Sequence, residues 1–108
     1  MLTFESTQQK GKVLIKLVGA LTIYTAVQAR KEFSDALEVH AAPEVDLSGV
    51  DEIDTAGVQV LLWIKQEAAL RGRSIPFAFH SPAVVEVLDL LNLAGTLGDP
   101  ILIAPPHS

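Results

Sequence analysis

The sequence predicts an α/β domain, a small mixed β-sheet of about four to five strands with three or more helices packed on it, in the order ββαβαβα(β). Three observations carry that expectation. Single β-type segments alternate with helical segments along most of the chain, which is the pattern of parallel strands joined through right-handed crossovers. Two β-type segments stand side by side at the start, as the arms of a hairpin do. The 108 residues are 49% hydrophobic and 19% charged, which suits one domain folding around one core.

Lys12–Val18 is rich in β-branched residues and lies between Gly11 and Gly19, and Leu2–Thr7 alternates weakly before it, so the two are expected to pair as a hairpin. From Tyr24 to His40, Ala26, Val27, Ala29, Arg30, Phe33, Ala36, Leu37 and His40 recur at spacings of three and four, which predicts a helix ended by Ala41-Ala-Pro43. Glu44–Ser48 is bounded by Pro43 and Gly49 and is expected to be a short strand running into the loop Gly49–Asp54. A second helix is predicted over Thr55–Leu70, with Asp54 or Thr55 as its cap and Gly72 at its C′ position. Ile75–Phe79 is expected to be the next strand. Ser81-Pro82 then opens a third helix, with Ser as cap, Pro at the first helical position, and Val84, Val85, Leu88 and Leu91 on its buried face. Asn92–Pro100 is expected to be loop, Ile101–Ile103 a final strand and residues 105–108 a disordered tail, so one domain spans residues 1–104.

Eight Lys and Arg stand against thirteen Asp and Glu, for a net charge of −5, and the basic residues are scattered, which argues against a nucleic-acid ligand. The chain has no cysteine, so disulfides, thiolate metal sites and cysteine nucleophiles are excluded. The first residues lack a basic n-region followed by a long apolar run, and no apolar stretch approaches the roughly 20 residues of a membrane span. A cytoplasmic protein without direct membrane insertion is expected.

Functional groups of α/β sheets gather beyond the carboxyl ends of the strands, and there Asp46, Ser48, Asp51, Glu52, Asp54 and Thr55 place four carboxylates and two hydroxyls within ten residues. Asp46, Ser48, Asp54 and Thr55 are expected to cluster at one end of the sheet, with Thr55 exposed in the first turn of the second helix. On that helix, Gly57, Leu61, Ile64 and Ala68 form the stripe expected to face the sheet. Trp63 falls off that stripe, among Ala56, Gln59, Val60, Gln66 and Glu67, and is expected to belong with Val60 to a partner surface. The alternative for Trp63 is packing beneath the first or third helix.

The segment Val45-Asp-Leu-Ser-Gly-Val-Asp-Glu-Ile-Asp-Thr-Ala-Gly-Val-Gln-Val-Leu-Leu62 resembles the signature of STAS (sulfate transporter and anti-sigma factor antagonist) domains. In these, a strand ending Asp-Leu-Ser leads through a Val-x-x-Ile/Val turn to Asp-Ser/Thr-x-Gly and an apolar helix. Leu17–Thr22 resembles the family's second strand and turn, and the element order agrees over nearly the whole chain. The resemblance implies a regulator that works by docking, with an anti-sigma factor or kinase, a chemotaxis-type signalling kinase, or a transporter ATPase as partner. In the anti-sigma factor antagonists a kinase partner phosphorylates the hydroxyl residue directly before the motif glycine; here that residue is Ala56, leaving Thr55 as the hydroxyl inside the motif. Thr55 is therefore either a phosphoacceptor or an unmodified cap or partner contact. The Asp-Thr-Ala-Gly version also resembles STAS subunits of phospholipid-transport ABC systems, whereas Gly19–Thr25 and His80–Asn92 look more like stand-alone members that accompany signalling kinases. The partner-binding set implied is Asp46, Ser48, Asp54, Thr55, Ala56, Gly57, Gln59, Val60 and Trp63, with no cofactor and no metal.

Enzyme chemistry finds little to work with. His40, His80 and His107 lack ligand spacing and a matched nucleophile, there is no Asp-x-Asp-x-Asp-Gly calcium loop around Asp51, Glu52 and Asp54, and no phosphate-loop glycine pattern is present.

Overall fold

The structure is a computed structural model that describes residues 1–40 and 42–91. Four strands and three helices follow in the order β1 (Leu2–Gln9), β2 (Lys12–Leu21), α1 (Ala26–Val39), β3 (Glu44–Ile53), α2 (Thr55–Leu70), β4 (Phe77–His80) and α3 (Pro82–Leu90). The sheet runs β1-β2-β3-β4, with β1 antiparallel to β2 and both β2–β3 and β3–β4 parallel. The expected α/β architecture is thus the observed one. The expected final strand at 101–103, the loop at 92–100 and the tail at 105–108 lie outside the described residues.

The hairpin closes at Lys10-Gly11, both with positive φ (51° and 79°), in a two-residue turn whose twist matches the flanking strands. Along β2, Val13, Ile15 and Leu17 point inward, and the ring of Phe4 from β1 meets that of Phe33 from α1 edge-on at 5.5 Å, fixing α1 over this face of the sheet. Ala29, Phe33 and Leu37 are the buried stripe of α1; α2 lies beside α1, and α3 lies against β3 with Val84 and Leu88 buried. Each fully buried leucine of this core, Leu17, Leu21, Leu37, Leu47, Leu61 and Leu88, stabilises the fold by about 1.5–3 kcal/mol relative to exposure.

Local chemistry sets the boundaries. Asp54 caps α2 by accepting from the Gly57 N–H at 2.9 Å. At the other end, Gly72 (φ 68°) donates to the Ala69 carbonyl and Arg73 to that of Ala68, a Schellman closure. Ser81 caps α3 through the Val84 N–H at 3.2 Å, and Pro82 occupies the first helical position.

Several boundaries differ from expectation: β1 runs on to Gln9, β2 to Leu21 and β4 to His80, and three further differences have a clear physical cause. The first helix starts at Ala26 rather than Tyr24, because Thr22 and Thr25 spend their hydroxyls on a turn. Thr25 Oγ1 donates to the Ala20 carbonyl at 2.8 Å and accepts from the Thr22 N–H, and Thr22 Oγ1 accepts from the Tyr24 N–H. The third strand runs on to Ile53 instead of stopping at Ser48, because β2 reaches Leu21 and offers Gly19–Leu21 as a partner after an irregularity near Gly49. A Cβ on Gly49 would sit 2.6 Å from the Leu17 carbonyl oxygen, so this close approach requires glycine. The fourth strand begins at Phe77, since Pro76 has no N–H for a ladder; its carbonyl instead accepts from Val45.

Candidate functional site, the loop after the second strand and the first turns of the second helix

Asp54 is the joint on which the site is built. One carboxylate oxygen caps α2; the other accepts the Ile23 N–H at 3.0 Å, so the same side chain ties the β2–α1 loop to the start of α2. Gly57 lets the two come that close. A Cβ there would stand 2.1 Å from the Leu21 carbonyl oxygen and 2.9 Å from Ile53 Cγ1. In the Asp-Thr-Ala-Gly stretch, then, Asp54 and Gly57 are explained by the fold, Ala56 is half-buried, and Thr55 is left exposed in the first turn. The Thr55 hydroxyl thus stands at the N-terminus of α2, the end at which the helix dipole favours negative charge.

The loop displays what the joint holds. Ile23 is 66% exposed, Tyr24 95% and, one turn into α1, Val27 82%. Tyr24 in the β2–α1 loop and Val27 and Arg30 on α1 run beside the stripe Thr55, Gln59, Trp63 on α2, and two contacts pin the two segments together. At one end is the Ile23–Asp54 hydrogen bond; at the other, the Arg30 guanidinium lies 5.7 Å from the centroid of the Trp63 ring. Trp63 is half-buried and packs against the core while keeping part of its ring at this surface. Asp51 and Glu52 are exposed at the end of β3, adding acidity to this apolar end of the molecule. Contiguous exposed apolar side chains of this kind mark interaction sites more often than isolated ones do.

The other expected residues divide. Val60 is a correction: it is 0% exposed and belongs to the core, so it has no surface to offer a partner. The cause is that α2 is enclosed by α1 as well as the sheet, which widens its buried arc to Gly57, Val58, Val60, Leu61, Ile64 and Ala68. The expected clustering of Asp46 and Ser48 with Asp54 and Thr55 is a second correction. Gly49 pairs with Val18 and Ile53 with Leu21, so Ser48 lies more than three strand positions, over about 10 Å, from Asp54 along the sheet. Asp46 is 8% exposed and accepts the Ser48 N–H at 2.8 Å, which stabilises the irregular turn of the strand near Gly49. Gln59 is exposed beside Thr55, as the helix spacing requires.

Ile23, Tyr24 and Val27 were not among the expected site residues, although for Val27 a signal existed. Ala29, Phe33 and Leu37 recur every four residues and define the buried stripe of the helix, and Val27 falls about 120° from the middle of that stripe on the helical wheel, so an apolar residue there points outward. Among the described residues no group of three His, Asp or Glu side chains is arranged to hold a metal ion, and no helix is long and apolar enough to cross a membrane.

The family model described as Mlab, STAS domain matches residues 4–103. The chain belongs to the STAS family. No curated protein matches it significantly. Among solved structures, an anti-sigma factor antagonist from Mycobacterium paratuberculosis superposes with a TM-score of 0.75 at 19% identity, over 97% of this chain and 88% of that one. A putative anti-sigma factor antagonist from Thermotoga maritima gives 0.76 at 21% identity, over 94% and 87%. A sulfate transporter family protein from Wolinella succinogenes gives 0.67 at 16% identity, over 85% and 75%. The STAS fold is common to all of them.

Proposed function

We propose that this STAS chain is a protein-docking regulator of the anti-sigma factor antagonist type, with no catalytic site of its own, working in the cytoplasm through the face made by the β2–α1 loop, the outer stripe of α1 and the first turns of α2. The observation that carries this reading is the exposed Ile23, Tyr24 and Val27 held beside exposed Thr55 by a single carboxylate. The partner in this reading is an anti-sigma factor or a chemotaxis-type signalling kinase. Thr55 is the switch: a phosphoryl group there would add about two negative charges next to Asp51, Glu52 and Asp54 and oppose desolvation of the apolar patch. The structural neighbour SpoIIAA, an anti-sigma factor antagonist, has been solved in unphosphorylated and phosphorylated forms, which supports a switch of this kind.

A second reading is favoured by two observations, the Mlab description of the matching family model and the alanine at position 56. In it the same face docks constitutively on the ATPase of a phospholipid-transport ABC system and Thr55 is never modified. Mass spectrometry of the chain isolated from its native cells separates the two: phosphorylated Thr55 supports the switch, and its uniform absence under all growth conditions supports the constitutive subunit. Calorimetric titration of the recovered partner against Thr55→Glu tests the face itself. The variant is expected to bind at least tenfold more weakly and to melt no lower than wild type, since a carboxylate in the first turn of a helix is stabilising by roughly 0.3–1 kcal/mol.

A further inference from the structure

The β1 edge of the sheet is a second surface, open among the described residues. β1 pairs with β2 in unbroken register from Leu2↔Gly19 to Gln9↔Lys12, and among the described residues no strand lies on its other side. The Met1 carbonyl accepts from the Ala20 N–H at 2.9 Å, so the odd-numbered residues of this strand direct their backbone groups to β2 and the even-numbered ones direct theirs outward. The outward Leu2 carbonyl is taken by the Gln28 side chain at 3.0 Å. What remains is a window at Phe4, Ser6 and Gln8 whose N–H and C=O groups face out of the sheet. Edge strands are ordinarily blunted by proline, lysine or a bulge; β1 has none of these, and its one charge is Glu5. Alongside the window, a groove of about 190 Å3 runs between β1 and α1, lined in part by Phe4, Ser6, Ile15, Ala36 and Val39, and Val39 is 74% exposed.

We propose that this edge pairs antiparallel with the β1 edge of a second copy of the chain, about a two-fold axis at Ser6, joining two four-stranded sheets into one. The occupant is a second copy because the register centred on Ser6 is self-complementary. Ser6 meets Ser6, Phe4 meets Gln8 and Glu5 meets Thr7, so no carboxylate faces another, and about six backbone hydrogen bonds form. Phe4 of each copy then lies opposite Gln8, at the end of the groove where Val39 is exposed. This edge lies apart from the Thr55 face, and the proposal does not rest on the docking reading.

The test uses the full chain in sedimentation equilibrium from micromolar to millimolar concentration. Wild type is expected to shift from monomer to dimer mass. Ser6→Pro removes an N–H that β2 does not use, so it is expected to keep the wild-type melting curve and to weaken dimerisation at least tenfold. Because the chain has no cysteine, Ser6→Cys provides an independent readout. Residues in a hydrogen-bonded antiparallel pair stand about 5.5 Å apart at Cα, within disulfide reach, so Ser6→Cys is expected to cross-link on mild oxidation. Glu5→Cys, which faces Thr7 in this register, is expected to cross-link much more slowly. A monomer at every concentration, a dimer indifferent to Ser6→Pro, or equal cross-linking at positions 5 and 6 would each overturn the proposal.

Discussion

Replacing Gly57 by alanine isolates the close approach that builds the site. Gly57 is the third residue of α2 and its φ is not in the left-handed region, so backbone conformation raises no objection to a side chain. On propensity alone the change gains up to about 1 kcal/mol. The added methyl carbon, however, would stand 2.1 Å from the Leu21 carbonyl oxygen and 2.9 Å from both the Leu21 carbonyl carbon and Ile53 Cγ1. Carbon and oxygen rest at about 3.3 Å, so the overlap is roughly 1 Å. The carbonyl has little room to retreat, since Leu21 is fully buried and its oxygen also accepts the Asp54 N–H at 3.4 Å. Relief must come from moving the first turn of α2. Overpacking of this kind costs about 1–3 kcal/mol, occasionally more, and its upper range less the propensity gain leaves a net loss of about 2 kcal/mol. For a domain of this size that is a fall in melting temperature of about 8–16 °C, readable by circular dichroism. An unchanged or raised melting temperature for Gly57→Ala would show that α2 does not sit on the end of β2 as described, and the joint between loop and helix would lose its basis.

Three other outcomes follow from the same geometry. Asp54→Ala removes a helix cap and the acceptor of the Ile23 N–H together, and is expected to lower stability by about 1–2 kcal/mol in urea titrations while increasing hydrogen exchange at Ile23 and Gly57. Val60→Ala is expected to destabilise by about 1.5–3 kcal/mol, as a core truncation does, and to leave the affinity of the folded protein for its partner unchanged. Trp63→Ala should lower both stability and affinity, because the ring is shared between the core and the surface beside Arg30; a loss confined to stability would remove Trp63 from the docking face.

Much of the fold was legible because its signals are local. Thr55–Leu70 was found to the residue: an aspartate before the helix and an Arg-Gly after it act within one turn of the ends they define. Ser81-Pro82 worked the same way. What the sequence concealed depends on neighbours distant in the chain. The extension of β3 through Asp51 and Glu52 exists because β2 continues alongside it, and two exposed carboxylates suggest a loop when the partner strand is unknown. Val60 was misplaced because a helix against a sheet alone needs a narrow apolar stripe, whereas α2 also packs on α1. The site divided likewise. Asp54, Thr55 and Gln59 could be placed from helix spacing, but Ile23 and Tyr24 enter only through a hydrogen bond across 31 residues.

The central claim is that a partner docks on the face shared by the β2–α1 loop and the first turns of α2, and site-specific photo-cross-linking in the native cells tests it most directly. A photoreactive side chain placed singly at Tyr24, Thr55 or Gln59 is expected to capture one and the same protein. Placed at Arg71, exposed at the opposite end of α2, it is expected to capture none of that protein. Capture of the same partner from Arg71, with nothing from Tyr24, Thr55 or Gln59, would contradict the account.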